Sequence, residues 1–91
     1  MIHMAHQLEI QKYHYFEEGN TYTGQKTKED GNKLLRYLVE PFQEDGLLKA
    51  YSWTQDVCFD RAQEKKEKEF PLTEEGLAQA VQWLEARFNQ L

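Results

Sequence analysis

The fold is decided by a C-terminal stretch, Thr73 to Leu91, which reads TEEGLAQAVQWLEARFNQL. Its apolar residues recur at steps of three and four positions: Leu77, Ala80, Val81, Leu84, Phe88 and Leu91. This spacing places one apolar stripe along one side of a helix. Thr73 is a natural N-cap, and Glu74 and Glu75 suit the positive end of the helix dipole. We therefore predict an amphipathic helix that begins after Leu72 and buries its stripe against another layer.

A second helix is predicted upstream, from about Lys28 to Glu40, with Thr27 as its cap. Its stripe would consist of Leu34, Leu35, Leu38, Val39 and Phe42. Pro41 disfavours helical geometry at the residue before it, and the acidic turn at 44–46 ends in glycine. The helix is therefore expected to stop at this proline.

The remaining apolar segments have the composition of strands, because aromatic and β-branched residues alternate with polar ones. Five strands are predicted from these segments: Leu8 to Phe16, Thr21 to Gln25, Leu47 to Thr54, Asp56 to Ala62 and Lys68 to Leu72. The predicted order is β-β-α-β-β-β-α. The fold class is therefore α+β, with a small antiparallel sheet of four to five strands and two amphipathic helices on one face.

The two predicted helices have similar sequence patterns. Placing Thr27 on Thr73 also places Leu38 on Leu84, at the same positions of the two stripes. Any two capped amphipathic helices share such features, which is one interpretation. The other is a ββα pseudo-repeat, with two halves packed about a pseudo-twofold axis.

The segment Gln63 to Glu69 mixes three lysines with three glutamates and has no net charge. Mixed charges of this kind are typical of a solvated surface and do not form a basic arm for nucleic acid. The segment is either an exposed hairpin connection or a helical turn. A hairpin is preferred, because the next residues then return to the sheet.

Length and composition indicate one domain, residues 1–91, of which 1–7 are expected to form a flexible N-terminal segment. Hydrophobic residues make up 40% and aromatic residues 13%, which suffices for a core. The net charge of −5 argues against a surface that binds phosphates. The chain starts without a basic, apolar leader and has no run of about 18 apolar residues, so we expect no signal peptide and no membrane span.

Cys58 is the only cysteine, so an internal disulfide is excluded and a cytoplasmic location is favoured. A catalytic thiol needs a base and a positive setting, whereas its neighbours Asp56 and Asp60 are acidic. Those two acids would lie about 13 Å apart along a strand, too far for a close carboxylate pair. We therefore expect no enzyme, no catalytic residue, and Cys58 as a small buried hydrophobe.

Metal and cofactor sites are not expected either. His3 and His6 are spaced for one helical face, but only His14 could join them, and a metal needs three or four ligands. The five glycines are scattered singly, so no glycine-rich phosphate loop is present. We accordingly predict no metal, no nucleotide and no other cofactor.

The aromatic residues of the predicted strands are more numerous than one helical layer can cover. Alternation places Tyr13 and Tyr15 on one face of their strand and Tyr51 and Trp53 on one face of theirs. Tyrosine and tryptophan are enriched at protein interfaces. These four residues form the candidate interaction surface.

The sequence therefore predicts a non-enzymatic protein-interaction or regulatory module of unknown pathway. We expect it to self-associate through the open face of its sheet. Its partner would be another protein or a second copy of the chain, and we expect no binding to a membrane. The alternative is an acidic inhibitor or nucleic-acid mimic that occupies a basic site on its target. Binding of single-stranded nucleic acid through strand aromatics ranks third, because the strands carry few basic residues.

Overall fold

The computed structural model describes residues 10–27, 33–55 and 57–90 of the chain. It shows an α+β fold with a four-stranded antiparallel sheet and two α-helices. In chain order the elements are α1 (Tyr13–Glu17), β1 (Tyr22–Thr27), β2 (Leu34–Phe42), β3 (Leu47–Trp53), a 3-10 turn (Phe59–Arg61), β4 (Lys66–Pro71) and α2 (Glu74–Asn89).

The sheet is a meander in which each strand pairs with the next, in the spatial order β1-β2-β3-β4. β2 and β3 therefore occupy the centre, and β1 and β4 form the two edges. The hairpin between β2 and β3 is tight, and it closes with a bond from the Asp45 amide to the Phe42 carbonyl (3.1 Å). Gly46 supplies the positive φ of +67° that this turn needs.

The hydrophobic core lies between one face of the sheet and the helices. Helix α2 contributes Leu77, Ala80, Leu84 and Phe88, and α1 contributes Phe16. The sheet meets them with alternate residues of its strands: Leu35, Tyr37, Val39, Leu48, Ala50 and Phe70. Because both helices bury residues in this one cluster, they cover the same face; α2 is one of the two predicted helices, whereas α1 lies in a segment predicted as a strand.

Helix α2 begins where the sequence places it. The side chain of Thr73 accepts a hydrogen bond from the amide of Gly76 at 2.9 Å, which satisfies one of the free N–H groups of the first turn. Gly76 is also required for packing, because a Cβ at this position would overlap the carbonyl oxygen of Pro71. The first turn of the helix therefore lies directly against the end of β4.

The predicted helix from Lys28 to Glu40 is wrong. Residues 34–42 form β2, while 28–32 lie outside the described residues. Along β2, Leu35, Tyr37 and Val39 are buried and the residues between them are half-buried. A central strand that is apolar on both faces presents a continuous run, and such a run also matches a helical stripe.

Two predicted strands are also corrected. The described part of Leu8 to Phe16 contains the start of α1, whose single buried residue is Phe16. The segment Asp56 to Ala62 is an irregular connection with a 3-10 turn, and Asp56 itself lies outside the described residues. The sheet therefore has four strands in the described part of the chain.

Three predicted strands are confirmed within a few residues, as β1, β3 and β4. The ββα pseudo-repeat fits the second half of the chain, where β3, β4 and α2 follow one another. In the first half it departs from the structure, because the residues matched to α2 form β2. The run Gln63 to Glu69 ends the connection and enters β4 at Lys66, so its last residues are strand. The N-terminal segment 1–7 lies outside the described residues.

Candidate functional site: the open face of the sheet

The sheet has one face that the helices do not cover, here called the open face. Pairing registers place on it the residues that alternate with the core positions. On the central strands these are Leu34, Arg36, Leu38, Glu40, Phe42, Leu47, Lys49, Tyr51 and Trp53. All of them except Trp53 are half-buried, although no described helix lies over them.

In the middle of this face, two pairs of apolar residues lie on either side of a charged row. Leu38 lies directly opposite Tyr51, and Phe42 lies opposite Leu47, which in turn faces Pro71. Between these two apolar rows runs a charged row.

The charged row consists of Glu40, Lys49 and Glu69, which are directly opposite one another on three strands. The Lys49 ammonium lies 3.5 Å from a Glu69 carboxylate oxygen and 5.0 Å from the centre of the Phe42 ring. The lysine therefore contacts both an acid and an apolar residue, and its charge is balanced within the row.

The connection between β3 and β4, described at residues 54–55 and 57–65, folds back over one end of the open face. The Phe59 ring meets Tyr51 at 4.9 Å and Trp53 at 5.7 Å between centroids, both edge to face. The indole N–H of Trp53 donates to the carbonyl of Val57 at 2.7 Å. Trp53 is consequently only 4% exposed, and it anchors the connection to the sheet.

Lys65 stabilises the same connection through two contacts with Phe59. Its ammonium lies 3.9 Å from the centre of the Phe59 ring and donates to the Phe59 carbonyl at 3.0 Å. Phe59 is thus placed between a cation and two sheet aromatics. The end of the open face near Trp53 is covered, and the part around Leu38, Phe42 and Leu47 has no cover among the described residues.

A cavity of about 340 Å³ opens where this connection meets β1 and β2. Its wall includes side chains of the open face and of the connection: Thr23, Gln25, Arg36, Trp53, Cys58 and Phe59. Cys58 is exposed at its rim, which corrects the expectation of a buried cysteine within a strand.

The environment of Tyr51 shows how far the open face is shielded from water. Burial raises the pKa of its hydroxyl above the usual value, and the nearby carboxylates of Glu67, Glu40 and Glu69 add to this rise, while Lys49 opposes it. The neutral phenol is therefore the favoured form in the folded protein.

The four residues predicted as an interaction surface do not lie on one face. Tyr51 and Trp53 share the open face, but Trp53 is covered by Phe59. Tyr13 and Tyr15 belong to α1 instead of a strand and pack against the core cluster on the helical side. Their hydroxyls donate to the carbonyls of Leu72 (3.1 Å) and Thr21 (2.9 Å).

Sequence reasoning missed the aliphatic part of the open face. Leu38 and Phe42 were assigned to a helical stripe, so they were expected in the core. The signal that could have found them is the alternation of Leu35, Tyr37 and Val39, which is the strand period of two. With that period, Leu38 points away from the core.

In the described part of the chain, no group of three or more His, Cys, Asp or Glu residues is arranged to hold a metal ion. His14 is exposed, and its ring nitrogen lies 3.0 Å from a Glu17 carboxylate oxygen. His3 and His6 lie outside the described residues. Among the described helices, none has the length and apolar character to cross a membrane.

Comparisons with protein-family models, with curated proteins and with solved structures find no match to this chain.

Proposed function

We propose that this protein is a non-enzymatic protein-interaction module that associates through the open face of its sheet, most simply with a second copy of itself. The observation that supports this most is the apolar part of the open face around Leu38, Phe42 and Leu47, which no described element covers, with Tyr51 at its border beside Phe59. An antiparallel sheet with one solvated face usually carries polar residues there. Apolar patches that persist on a surface mark interaction sites.

The charged row supports the same proposal. Glu40, Lys49 and Glu69 alternate in sign, and with Arg36 and Glu67 the described strands place two basic and three acidic side chains on this face. Such a face suits an apolar partner with a few polar contacts. A nucleic-acid mimic would instead present a continuous acidic surface, and this interrupted row gives that alternative less support.

The test is the association state of the wild type and of Tyr51→Ser, followed by sedimentation equilibrium over a wide range of concentrations. Truncation of an aromatic residue at the centre of an interface costs about 2 kcal/mol or more, which is a loss of affinity of about thirtyfold. Tyr13→Ser is the matched control, because Tyr13 is a half-buried tyrosine on the helical side of the sheet.

The proposal predicts that the wild type self-associates, that Tyr51→Ser weakens this association, and that Tyr13→Ser leaves it unchanged. Circular dichroism is the check that both variants remain folded. Equal dissociation constants for the wild type and Tyr51→Ser would contradict the proposed use of the open face.

A further inference from the structure

The two edge strands of the sheet differ in the way their charges are arranged. On β4, Lys66 and Lys68 lie on the helical side, opposite Ser52 and Ala50. Glu67 and Glu69 lie on the open side, where they face Tyr51 and Lys49. Each side of this edge therefore carries charges of one sign only.

This arrangement opposes the pairing of β4 with a second β4. In a two-fold antiparallel pair, each strand keeps its faces, and directly opposite residues lie on the same face. Glutamate would therefore meet glutamate and lysine would meet lysine in the registers that overlap these four residues. Like charges directly opposite one another destabilise a strand pair, so β4 is a protected edge.

The edge formed by β1 has no such protection. Its residues on the open side are Thr23, Gln25 and Thr27, all neutral and exposed. Lys26 is the only charged residue among the six of the strand. None of the described strands pairs with its outer side.

We infer that β1 pairs with β1 of a second copy of this chain, antiparallel and across a two-fold axis perpendicular to the sheet. With Gly24 facing Gly24 of the second copy, Thr23 meets Gln25 of that copy and Tyr22 meets Lys26. No like charges face one another in this register. Threonine side chains favour such a pair, since β-branched residues suit strands.

This contact goes beyond the proposed function, because it uses the edge of the sheet and leaves the open face free. It joins two sheets into one of eight strands, with both open faces on the same side. A face-to-face contact has its two-fold axis in the plane of the sheet, at a right angle to that of the edge contact. The two contacts together are compatible with a closed tetramer of D2 symmetry.

The test places two charges of the same sign on the open side of β1, as β4 has on each of its sides. The acidic variant combines Thr23→Glu with Gln25→Glu, and the basic variant combines Thr23→Lys with Gln25→Lys. Both positions are exposed, so the fold is preserved. Each variant alone places like charges opposite one another at two positions, and we expect the edge contact to weaken about tenfold.

Mixing the two variants in equal amounts pairs glutamate with lysine, and native mass spectrometry should then detect a heterodimer. The matched control combines Gln79→Glu with Gln82→Glu, which adds the same charge on the exposed side of α2. The control should associate as the wild type does. Hydrogen exchange should show that the protection of the β1 amides increases with protein concentration.

Three results would overturn the edge contact: unchanged association of both charged variants, absence of a heterodimer on mixing, or β1 protection that is independent of concentration. The Tyr51→Ser variant separates this inference from the proposed function. If Tyr51→Ser associates normally while the acidic variant does not, the edge contact holds and the open-face contact fails.

Discussion

Strand β2 contributes to both faces of the sheet, and its two sides have different surroundings. On the helical side, Leu35, Tyr37 and Val39 are at most 2% exposed beneath α1 and α2. On the open side, Leu38 and Phe42 are equally apolar but only half-buried. The difference shows that the burial of these residues is decided by what covers each face, since their chemistry is similar.

The same comparison explains why the open face is a candidate interface. A solvated sheet face has no need of leucine and phenylalanine for folding, because the core on the other side is already complete. The connection at 54–65 covers only the end near Trp53. The apolar residues beyond it, Leu38, Phe42 and Leu47, have no cover among the described residues.

The largest expected effect tests the covered end of the open face. Trp53→Ala removes an indole that is 4% exposed and the hydrogen bond that it donates to Val57. We expect a loss of about 3–5 kcal/mol in the free energy of unfolding, because the truncation leaves a cavity under Phe59. Urea denaturation followed by circular dichroism measures it.

Trp53→Phe is the matched variant, since it keeps part of the ring packing while it removes the hydrogen bond to Val57 and some ring volume. It should lose about 1–2 kcal/mol. If Trp53→Ala loses less than about 1 kcal/mol, Trp53 does not anchor the connection, and the division of the open face into a covered and an uncovered part is wrong.

The next effect tests the helical side. Leu84 is fully buried at the centre of the core cluster, and Leu84→Ala should lower the free energy of unfolding by about 2–5 kcal/mol. Denaturation in urea gives the value, with Ala86→Gly as a control for helix propensity at an exposed position of α2. A loss below about 1 kcal/mol would contradict the assignment of the apolar stripe.

The sequence was sufficient for α2 because several independent signals agree there. The stripe, the Thr73 cap and Pro71 before it all favour one helix with one start. Around Leu34 the signals disagree, since a continuous apolar run fits both a helix and a central strand. Only the pairing of β2 with two neighbours decides between them, and pairing is not visible in local sequence.

The candidate site was predicted less completely than the fold. The sequence predicts that Tyr51 and Trp53 share one face of a strand, and they do so on β3, but the alternation alone leaves open which face that is. Tyr13 and Tyr15 were misplaced because an alternating segment of five residues also forms one short helical turn. The cover over Trp53 was missed, since Asp56 to Ala62 looked like a strand.

A smaller effect compares the two sides of β2 directly. Leu38→Ala should cost only about 1 kcal/mol in the free energy of unfolding, because the side chain is half-buried and leaves no closed cavity. Leu35→Ala, three residues earlier and 2% exposed, is the matched control and should cost about 2–5 kcal/mol. Both values come from denaturation at low protein concentration, where association contributes little.

At high protein concentration, the effects of the two variants on self-association should have the opposite order to their effects on stability. Leu38→Ala should weaken self-association through the open face, while Leu35→Ala should affect it only through lost stability. Equal stability losses for the two variants would mean that the faces are buried alike. The proposed difference between the covered helical side and the open side of β2 would then be wrong.

The smallest expected effect concerns the hydroxyl of Tyr51. Burial, reinforced by Glu67, Glu40 and Glu69 and opposed by Lys49, raises its pKa in the folded protein above the ordinary value of about 10. Below that pH the phenol is neutral in both states and contributes no pH dependence. Above it the unfolded chain ionises first, so unfolding releases a proton and the free energy of unfolding falls as the pH rises.

Tyr51→Phe removes this proton release and keeps the ring against Phe59. The stability of the wild type relative to Tyr51→Phe should therefore decrease between about pH 9 and pH 11, as measured by urea denaturation at each pH. Other tyrosines titrate in both proteins and cancel in the difference. If a second copy covers the open face, it buries the phenol further, and the onset of the decrease should move to higher pH as protein concentration rises. If the stability difference between the wild type and Tyr51→Phe stays constant across this pH range, the Tyr51 hydroxyl is as solvated in the folded protein as in the unfolded chain. The centre of the open face is then exposed to solvent.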